Sequence, residues 1–380
     1  MSGVPDVSVV VAVYDTMPYL TRCLASLTAQ SLGERRMEVV VVDDGSTDGG
    51  AEEIARVAAL HPGLFTILRQ PNSGGPAAPS NRGLELATGR YVFFLGADDH
   101  LAPEALERMV DMADECRSDV LLCKMAAVGD RKVPTGVFRN TSPAIRLVGD
   151  GLPWALSNTK LFRRSLLEEH KIRYDERMPA FSDQPFVMEA CFRAARISVL
   201  ADQDHYFAVR RADSSNITFR AGPELRLRCA ERLFETTCRF LEPGPVRDGF
   251  HRRHFHVELF QLFGPDFAGL DRATRQRICA GTARLVEAHG AGVLERLDER
   301  RRRTLELARR GDVDALCAGI AAEAAAGAAP GSVPDPARPP RAGGGAFSLV
   351  RWLLAPVPTG RPPRKGSGRA VVRETGPENV

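Results

Sequence analysis

The stretch RYVFFLGADDHL, residues 90–101, decides the fold, because an apolar run meets a small-residue turn and then two carboxylates. Residues 91–95 are apolar on both faces, which predicts a buried strand. Asp98 and Asp99 follow it and need a cation or a donor-rich ligand; hard divalent ions such as Mg²⁺ or Mn²⁺ prefer oxygen ligands. The alternative is an Asx turn or a helix N-cap, since APEALERMV predicts a helix from about Pro103.

Composition limits the classes of function. With 380 residues, 44% hydrophobic and 26% charged, the chain is long enough for one large domain and a smaller one. The formal charge of +3 gives no argument for nucleic acid binding. The eight cysteines form no CxxC pair, and the N-terminus lacks a basic segment followed by an apolar one. We therefore expect a cytoplasmic protein with reduced cysteines, and the oligomeric state is left open.

The segments upstream of residue 90 have the rhythm of a doubly wound sheet. Val7–Val13 and residues 37–42 are β-branched runs typical of buried parallel strands, and residues 16–30 between them have helical spacing. Ligands of such sheets bind beyond the carboxyl ends of the strands. We therefore expect the polar residues that follow the strands to gather at one rim: Tyr14, Asp15, Asp43, Asp44 and Asp98.

The chain has no dinucleotide-binding GxGxxG motif after its first strand and no phosphate-binding GxxxxGK[ST] motif. A nucleotide at this rim must therefore be bound by other residues. Acids at strand ends accept hydrogen bonds from a base N–H or from ribose hydroxyls, and Tyr14 offers a face for stacking. The alternative for DDGSTDG is a turn that caps the next helix, and both can hold together.

The loop NSGGPAAPSNRG follows a third strand near residues 64–68 and predicts a bent, rigid connection. A helix is expected to begin around Asn81 or Arg82. Arg82 at a helix start could face a diphosphate, because the helix N-terminus favours anions. A solvated helix arginine is the alternative.

The next segments carry a candidate base and a candidate phosphate clamp. Residues 119–125 predict a strand and residues 161–171 a helix; Asp183 stands at the start of a later helix, as a cap or as a general base. Arg210 and Arg211 resemble a phosphate clamp, and only one of them should face the site on a strand. His205 is expected to be packed, and no histidine spacing predicts a zinc site.

Three regions are predicted: a catalytic domain at 1–222, a helical module at 223–325, and a disordered tail rich in Pro, Gly and Arg at 326–380. An apolar segment of the tail runs from Phe347 to Val357. It is too short to span a bilayer, and either peripheral membrane contact, a partner contact or a merely sticky segment would account for it.

VSVVVAVYD, VVVVDDGSTDG and FFLGADDHL, in this order, resemble the inverting family-2 glycosyltransferases of the GT-A fold. NSGGPAAPSNRGL, LSNTKLFRRSLL, SDQPF and a later RHF resemble a narrower group, the wall teichoic acid poly(ribitol-phosphate) β-N-acetylglucosaminyltransferases of TarS type. This likeness covers roughly residues 7–320. It implies an α/β fold, with a Rossmann-like, doubly wound mixed sheet followed by an α-helical linker domain.

The resemblance also implies roles for individual residues and a divalent ion, Mn²⁺ or Mg²⁺. Asp98 would bind the metal, with Asp99 helping, and Asp183 would be the catalytic base. Arg131 and Arg211 would contact the donor phosphates or the acceptor. Uridine and diphosphate would be held by Tyr14, Asp44, Asn72 and Arg82.

The implied reaction transfers GlcNAc from UDP-GlcNAc to a polyol-phosphate polymer such as teichoic acid. A capsular or lipid-linked saccharide is the alternative acceptor, and a nucleotide-binding scaffold is the alternative to an enzyme. The chain departs from the family pattern at Gly96, where the first acid of the DxD motif is usual, and at Ser182, where an acid usually precedes the base. It also has Ala12 and Val13 in place of Pro-Thr, and Asp15 in place of Asn.

Overall fold

The computed structural model of the chain describes residues 3–212, 221–325 and 372–374. The strands are β1 Val7–Val13, β2 Met37–Asp43, β3 Phe65–Arg69, β4 Tyr91–Phe94, β5 His100–Leu101, β6 Val120–Cys123, β7 Met125–Val128, β8 Lys160–Arg163, β9 Ile197–Leu200, β10 Tyr206–Val209 and β11 Val372–Glu374. The helices of the first half are α1 Tyr19–Thr28, α2 Gly50–Leu60, α3 Ala77–Leu86, α4 Ala105–Cys116, α5 Arg164–Glu169 and α6 Asp183–Arg193.

The second half is helical. Its helices are α7 Pro223–Phe240, α8 Pro245–His254, α9 Arg272–His289, α10 Glu299–Arg309 and α11 Val313–Ala325. A π-helical segment, Phe255–Leu259, extends α8. Short 3₁₀ turns lie at Gly136–Phe138, Leu152–Trp154, Phe260–Phe263, Pro265–Gly269 and Leu294–Arg296.

The large sheet has the order β11-β3-β2-β1-β4-β8-β6-β9. Strands β3, β2, β1 and β4 are parallel neighbours, whereas β8 runs antiparallel between β4 and β6. The sheet is therefore mixed, as predicted. Because β1, β2, β3 and β4 run the same way, their carboxyl ends lie at one edge.

Both faces of this sheet are covered, which explains why its central strands are apolar throughout. Val9 and Val11 of β1 pack in one core with α1, α2 and α4, and Val10 belongs to a second core with α3 and α6. Helix α3 lies so close to β1 that a Cβ on Gly83 would come within 2.3 Å of Val10 Cγ1. Only glycine fits at this crossing.

A second, small sheet has the order β5-β10-β7. The chain leaves β4, turns through residues 95–99 and forms β5, which pairs antiparallel with β10. The predicted strand at 119–125 is divided: β6 belongs to the large sheet and β7 to the small one. The small sheet thus holds the Asp98–Asp99 turn against the rim.

The predicted helix at 161–171 is wrong over its first part. Leu161 and Phe162 lie in β8, which hydrogen-bonds to β4 and β6, and the helix is the short α5. Both residues are buried. An apolar pair fits a buried strand and a helix equally well, and here the gap between β4 and β6 needs a strand.

The helical module begins at Pro223, where the sequence predicts it to start, and has its own core around Phe234, Phe255 and Ile278. Leu233 and Phe250 belong instead to the core beneath the large sheet. The domain boundaries themselves stay a prediction. None of the described helices combines the length and apolar character that a bilayer crossing requires.

The predicted tail at 326–380, with its segment from Phe347 to Val357, lies outside the described residues except for Val372–Glu374. Those three residues pair parallel with β3 at the edge of the large sheet.

Candidate functional site

The rim begins with Tyr14 and Asp15, which follow β1. The Tyr14 side chain is 48% exposed and so accessible to a ligand. Asp15 Oδ1 accepts a hydrogen bond from the Thr47 amide at 2.8 Å, and the Asp15 amide donates to Ser46 Oγ at 3.3 Å. The end of β1 is therefore fastened to the turn after β2.

Asp44 and Asn72 meet where β2 and β3 end. Asp44 is buried; its Oδ1 accepts from Gln70 Nε2 at 2.6 Å, and its Oδ2 accepts from Ser73 N at 3.0 Å and Ser73 Oγ at 2.9 Å. Asn72 Oδ1 accepts from the Gly74 amide at 2.8 Å and shapes the turn. Asp44 thus organises the loop after β3.

The same loop reaches the segment that precedes α6. A Cβ on Gly75 would lie 2.7 Å from the carbonyl oxygen and 2.8 Å from the Cα of Pro179. This backbone approach excludes a side chain at Gly75. It brings the loop after β3 next to the chain that leads to Asp183.

Arg82 is not at a helix start, and that prediction is wrong. Helix α3 begins at Ala77, so Arg82 is its sixth residue; its exposed side chain donates to Glu85 Oε2 at 2.7 Å. Pro76 and Pro79 are compatible with the N-cap and first turn, because the amides there need no intrahelical partner. The two prolines mark the helix start and not the loop before it.

Asp98 and Arg211 face each other across the rim. Arg211 Nε donates to Asp98 Oδ2 at 2.9 Å, and the two side chains are 14% and 16% exposed. Arg211 Nη1 also donates to the carbonyl of Asp15 at 3.3 Å. Its neighbour Arg210 is exposed, in keeping with the expectation that only one of the pair faces the site.

Asp99 has a different environment from Asp98. It is buried, its Oδ2 accepts from the Tyr206 hydroxyl, and its Oδ1 accepts from the Val209 amide at 2.7 Å. Burial and the neighbouring Asp98 raise the pKa of Asp99 to about 7. Both oxygens of Asp99 are thus engaged in anchoring β10, whereas Asp98 pairs with Arg211.

The donor set at the rim fits a hard divalent ion that shares its ligands with a substrate. Mg²⁺ is commonly held by one or two carboxylates together with substrate phosphates. Asp98 supplies one carboxylate, and Gly96 supplies none. A Cβ at Gly96 would lie 2.8 Å from Asp99 Oδ2 and 3.2 Å from Asp98 Oδ1, so the packing itself explains glycine here.

Asp183 is the first residue of α6, and the Ser182 side chain does not cap the helix. Burial raises the pKa of Asp183, while the charges of Lys160 and Arg253 and the amides of Asp183 and Gln184 act in the opposite direction. A carboxylate in this setting is more basic than an exposed one, and the charges of two cations oppose part of that shift. That combination suits a general base.

Lys160 and Arg253 were not among the predicted site residues. Lys160 is buried in β8, burial lowers its pKa to about 8, and Asp183 acts on it in the opposite direction. Arg253 of α8 donates to Gln184 Oε1 at 2.7 Å and to Glu258 Oε1 at 2.5 Å. Two sequence features could have identified these residues. Lys160 is a charged residue in the otherwise apolar segment KLF, and Arg253 belongs to the motif RHF.

A cleft of about 1520 Å³ lies between the loops after β7 and helix α8. Arg131, predicted to contact phosphate or acceptor, lines this cleft and also lowers the pKa of Asp99 by its charge. Asp150 is the acidic residue of the lining. The basic residues of the lining are Arg131, Lys132, Arg139, Arg252 and Arg253.

Comparison with known families matches two models to the chain. Residues 8–178 match the model "Glycosyl transferase family 2", and residues 226–319 match "Glycosyl transferase TarS linker domain". The first match contains β1 to β4, the Asp98–Asp99 turn and β8, and the second lies within α7 to α11.

Two curated relatives are each 37% identical to the chain. One is the poly(ribitol-phosphate) beta-glucosyltransferase of Bacillus spizizenii, aligned over 54% of this chain and 32% of the relative. The other is the poly(ribitol-phosphate) beta-N-acetylglucosaminyltransferase TarS of Staphylococcus aureus, aligned over 57% and 38%. The matched part spans about a third of the length of these relatives.

A solved structure resembles the chain over most of its length. The crystal structure of residues 1–349 of S. aureus TarS in complex with UDP-GlcNAc superposes with a TM-score of 0.70 at 28% identity. The match covers 84% of this chain and 92% of that one.

Proposed function

The chain belongs to glycosyltransferase family 2, and we propose that it transfers GlcNAc from UDP-GlcNAc to a polyol-phosphate cell-wall polymer. The relatives named for poly(ribitol-phosphate) and the TarS complex with UDP-GlcNAc support this substrate pair. The first of those relatives is a glucosyltransferase, so UDP-glucose is the donor to test beside UDP-GlcNAc.

The observation that carries the acceptor class is the charge of the cleft. Five basic residues and one acid line it, and Arg253 joins it to the helix of Asp183 through Gln184. Clefts lined by one sign of charge concentrate ligands of the opposite sign. A polymer with a phosphate in each repeat fits this lining better than a neutral saccharide.

Asp183 is the base in the mechanism that we propose. Its carboxylate takes the proton of an acceptor hydroxyl as that oxygen forms a bond to the anomeric carbon of the donor sugar. The bond between the anomeric carbon and the UDP oxygen breaks on the opposite face, so the configuration inverts. The electron pair leaves with UDP, and the charges of Lys160 and Arg253 favour the ionised form of Asp183.

The donor is held along the rim. Tyr14 stacks on the uracil, Asp44 and Asn72 hold the nucleoside end, and Arg211 neutralises charge on the departing diphosphate. A Mg²⁺ or Mn²⁺ ion held by Asp98 would supply further positive charge there. Asp99 keeps β10, and with it Arg211, in position. Arg82 has no place in this scheme.

The test is UDP release with Mn²⁺ from UDP-GlcNAc and UDP-glucose, with poly(ribitol phosphate), poly(glycerol phosphate) or a neutral dextran. We expect one donor to be consumed faster when a phosphate polymer is present and dextran to have no effect. The acceptor assignment would be rejected if dextran stimulated UDP release as much as the phosphate polymers do. It would also be rejected if none of the polymers stimulated release. No release from either donor would reject the activity.

A charge-reversal pair tests the cleft. Lys132→Glu should raise the KM for the polymer about 2- to 30-fold, because reversing a surface charge changes binding by roughly 0.5–2 kcal/mol. Hydrolysis of the donor without polymer should be unchanged. Arg35→Glu, an exposed change at the opposite edge of the sheet before β2, is the matched control and should leave the KM as it is.

A further inference from the structure

A cluster of soft and borderline metal ligands lies in the helical module, away from the rim. Cys238, His251 and His289 place one ligand atom each within 4.8 Å of one another. Cys238 Sγ is 3.7 Å from His251 Nε2 and 3.9 Å from His289 Nδ1. The three residues come from three helices, α7, α8 and α9, and share no spacing motif.

These distances are close to those of a tetrahedral zinc site. With Zn–S bonds of about 2.3 Å and Zn–N bonds of about 2.0–2.1 Å, tetrahedral angles put sulfur and nitrogen about 3.5–3.6 Å apart. The two sulfur–nitrogen separations exceed this by only a few tenths of an ångström. All three ligand atoms lie within 4.8 Å of one another, so rotation of the imidazole side chains toward a common ion would complete the coordination.

The position of the cluster also favours a cation. Cys238 lies in the last turn of α7 and His289 is the last residue of α9, whereas the helical backbone continues past His251 into the π-helical segment. Helix C-termini carry partial negative charge, so two helix ends favour a positive ion at the cluster.

The surroundings hold the imidazoles in place. His251 is buried, and the ring of His289 stacks on Phe234 with centroids 5.0 Å apart. The Phe234 ring also contacts His251 at 5.0 Å. His254 is engaged elsewhere, since its Nε2 lies 2.9 Å from Thr237 Oγ1. An apolar shell of this kind controls solvent access to a metal site.

We propose that the helical module binds one Zn²⁺ through Cys238 Sγ, His251 Nε2 and His289 Nδ1, with water in the fourth position. Three protein ligands and an open fourth position form a known type of zinc site. The ion ties α8 to the C-terminal ends of α7 and α9. Helix α8 also carries Arg253, which contacts Gln184 next to Asp183. The bound ion would therefore stabilise the helix that makes this contact. This zinc site does not depend on the proposed transferase activity.

The experiment uses the full-length protein. After chelation and removal of the chelator, Co²⁺ is titrated in, because thiolate-bound tetrahedral Co²⁺ has a sulfur charge-transfer band and strong visible bands. We expect saturation at one ion per chain, displacement of the bands by Zn²⁺, and a higher unfolding temperature with Zn²⁺ than without it.

Variants assign the ligands. Cys238→Ser and His289→Asn should each weaken binding by more than roughly 100-fold, because losing even an outer-shell partner costs 10- to 100-fold. Cys317→Ser, a partly buried cysteine of α11 in the same module, should bind like the native protein. His289 is partly exposed, so its variant remains informative if Cys238→Ser fails to fold.

Two results would overturn the proposal. One is a native protein that shows no Co²⁺ bands and no thermal shift with Zn²⁺, which would leave the cluster as packed, hydrogen-bonded side chains. The other is undiminished stoichiometric binding in both ligand variants, which would place the ion elsewhere in the chain.

Discussion

Gly96 is a position where this chain departs from the family pattern, and the structure predicts that a side chain there lowers stability. A Cβ there would lie 2.8 Å from Asp99 Oδ2, 3.2 Å from Asp98 Oδ1 and 3.3 Å from the Tyr206 hydroxyl oxygen. Separations under 3.0 Å are essentially never seen for real Cβ atoms. The neighbouring side chains must move.

The movement is expensive because Asp99 is held on both sides. Its oxygens accept from the Tyr206 hydroxyl and from the Val209 amide. Overpacking a core costs about 1–3 kcal/mol, and losing a hydrogen bond to a charged group costs about 1.5–3 kcal/mol. These are alternative ways to relieve one clash. We therefore expect Gly96→Ala to lose about 2 kcal/mol, equivalent to a fall in Tm of roughly 4–8 °C.

Gly96→Asp restores the usual acid but adds a third carboxylate beside two others. We expect it to be less stable than Gly96→Ala and to gain no Mn²⁺-dependent affinity for UDP. Urea unfolding and calorimetric UDP binding, with and without Mn²⁺, measure the two effects. Gly269→Ala is the control, because a Cβ there meets no atom within 4 Å. The reasoning is refuted if Gly96→Ala is as stable as that control, or if Gly96→Asp binds Mn²⁺ and UDP more tightly than the native protein.

Three further predictions concern the base and the donor. Asp183→Asn should keep its affinity for UDP-GlcNAc and lose about 10²- to 10⁴-fold in kcat, because a general base acts mainly in the transition state. Unchanged turnover would mean that Asp183 has only a structural role at the start of α6. Lys160→Met should move the acidic limb of the kcat profile to higher pH, because the lysine charge lowers the pKa of Asp183 and its loss lets that pKa rise. Burial already lowers the pKa of Lys160 to about 8, so its charge opposes folding and the variant should fold; Lys124→Met, a partly exposed change, should leave the profile unmoved. Tyr14→Ala should weaken UDP binding about 5- to 150-fold, the equivalent of 1–3 kcal/mol of base stacking, whereas Tyr14→Phe should bind normally; equal losses in both variants would mean that the hydroxyl and not the ring makes the contact.

Arg253 connects the two halves of the molecule chemically as well as by packing. Its guanidinium lies on α8, contacts Gln184 directly after Asp183, and lines the basic cleft. Arg253 is buried, so its contact with Gln184 is part of the packing between the helical module and α6. The geometry gives the module a part in keeping the base segment ordered.

The sequence alone determined the central sheet and the edge of it at which the candidate site residues lie. The apolar runs of Val7–Val13 and Met37–Asp43 form strands at those bounds or within one residue of them. When neighbouring strands are parallel, their carboxyl ends lie at one edge of the sheet, and this does not depend on the conformation of the loops. That is why the polar residues after β1, β2 and β4 could be assigned to one rim without coordinates.

Local patterns failed where an apolar segment suited two structures or where a turn signal lay inside a helix. Leu161 and Phe162 were assigned to a helix and form a strand, because β4 and β6 leave room for one between them. The prolines near α3 suggest a loop by their local pattern, which predicts a helix start at Asn81 or Arg82, whereas the helix begins at Ala77.

Only the tertiary structure decided which side chains meet. Tyr206 and Asp99 are 107 residues apart in the chain, and Arg253 and Gln184 are 69 apart. Cys238, His251 and His289 come together from three helices without any motif. Periodicity reports which face of one element is buried. It carries no information on which buried face packs on which, and these contacts, which tune Asp183 and create the zinc cluster, depend on that packing.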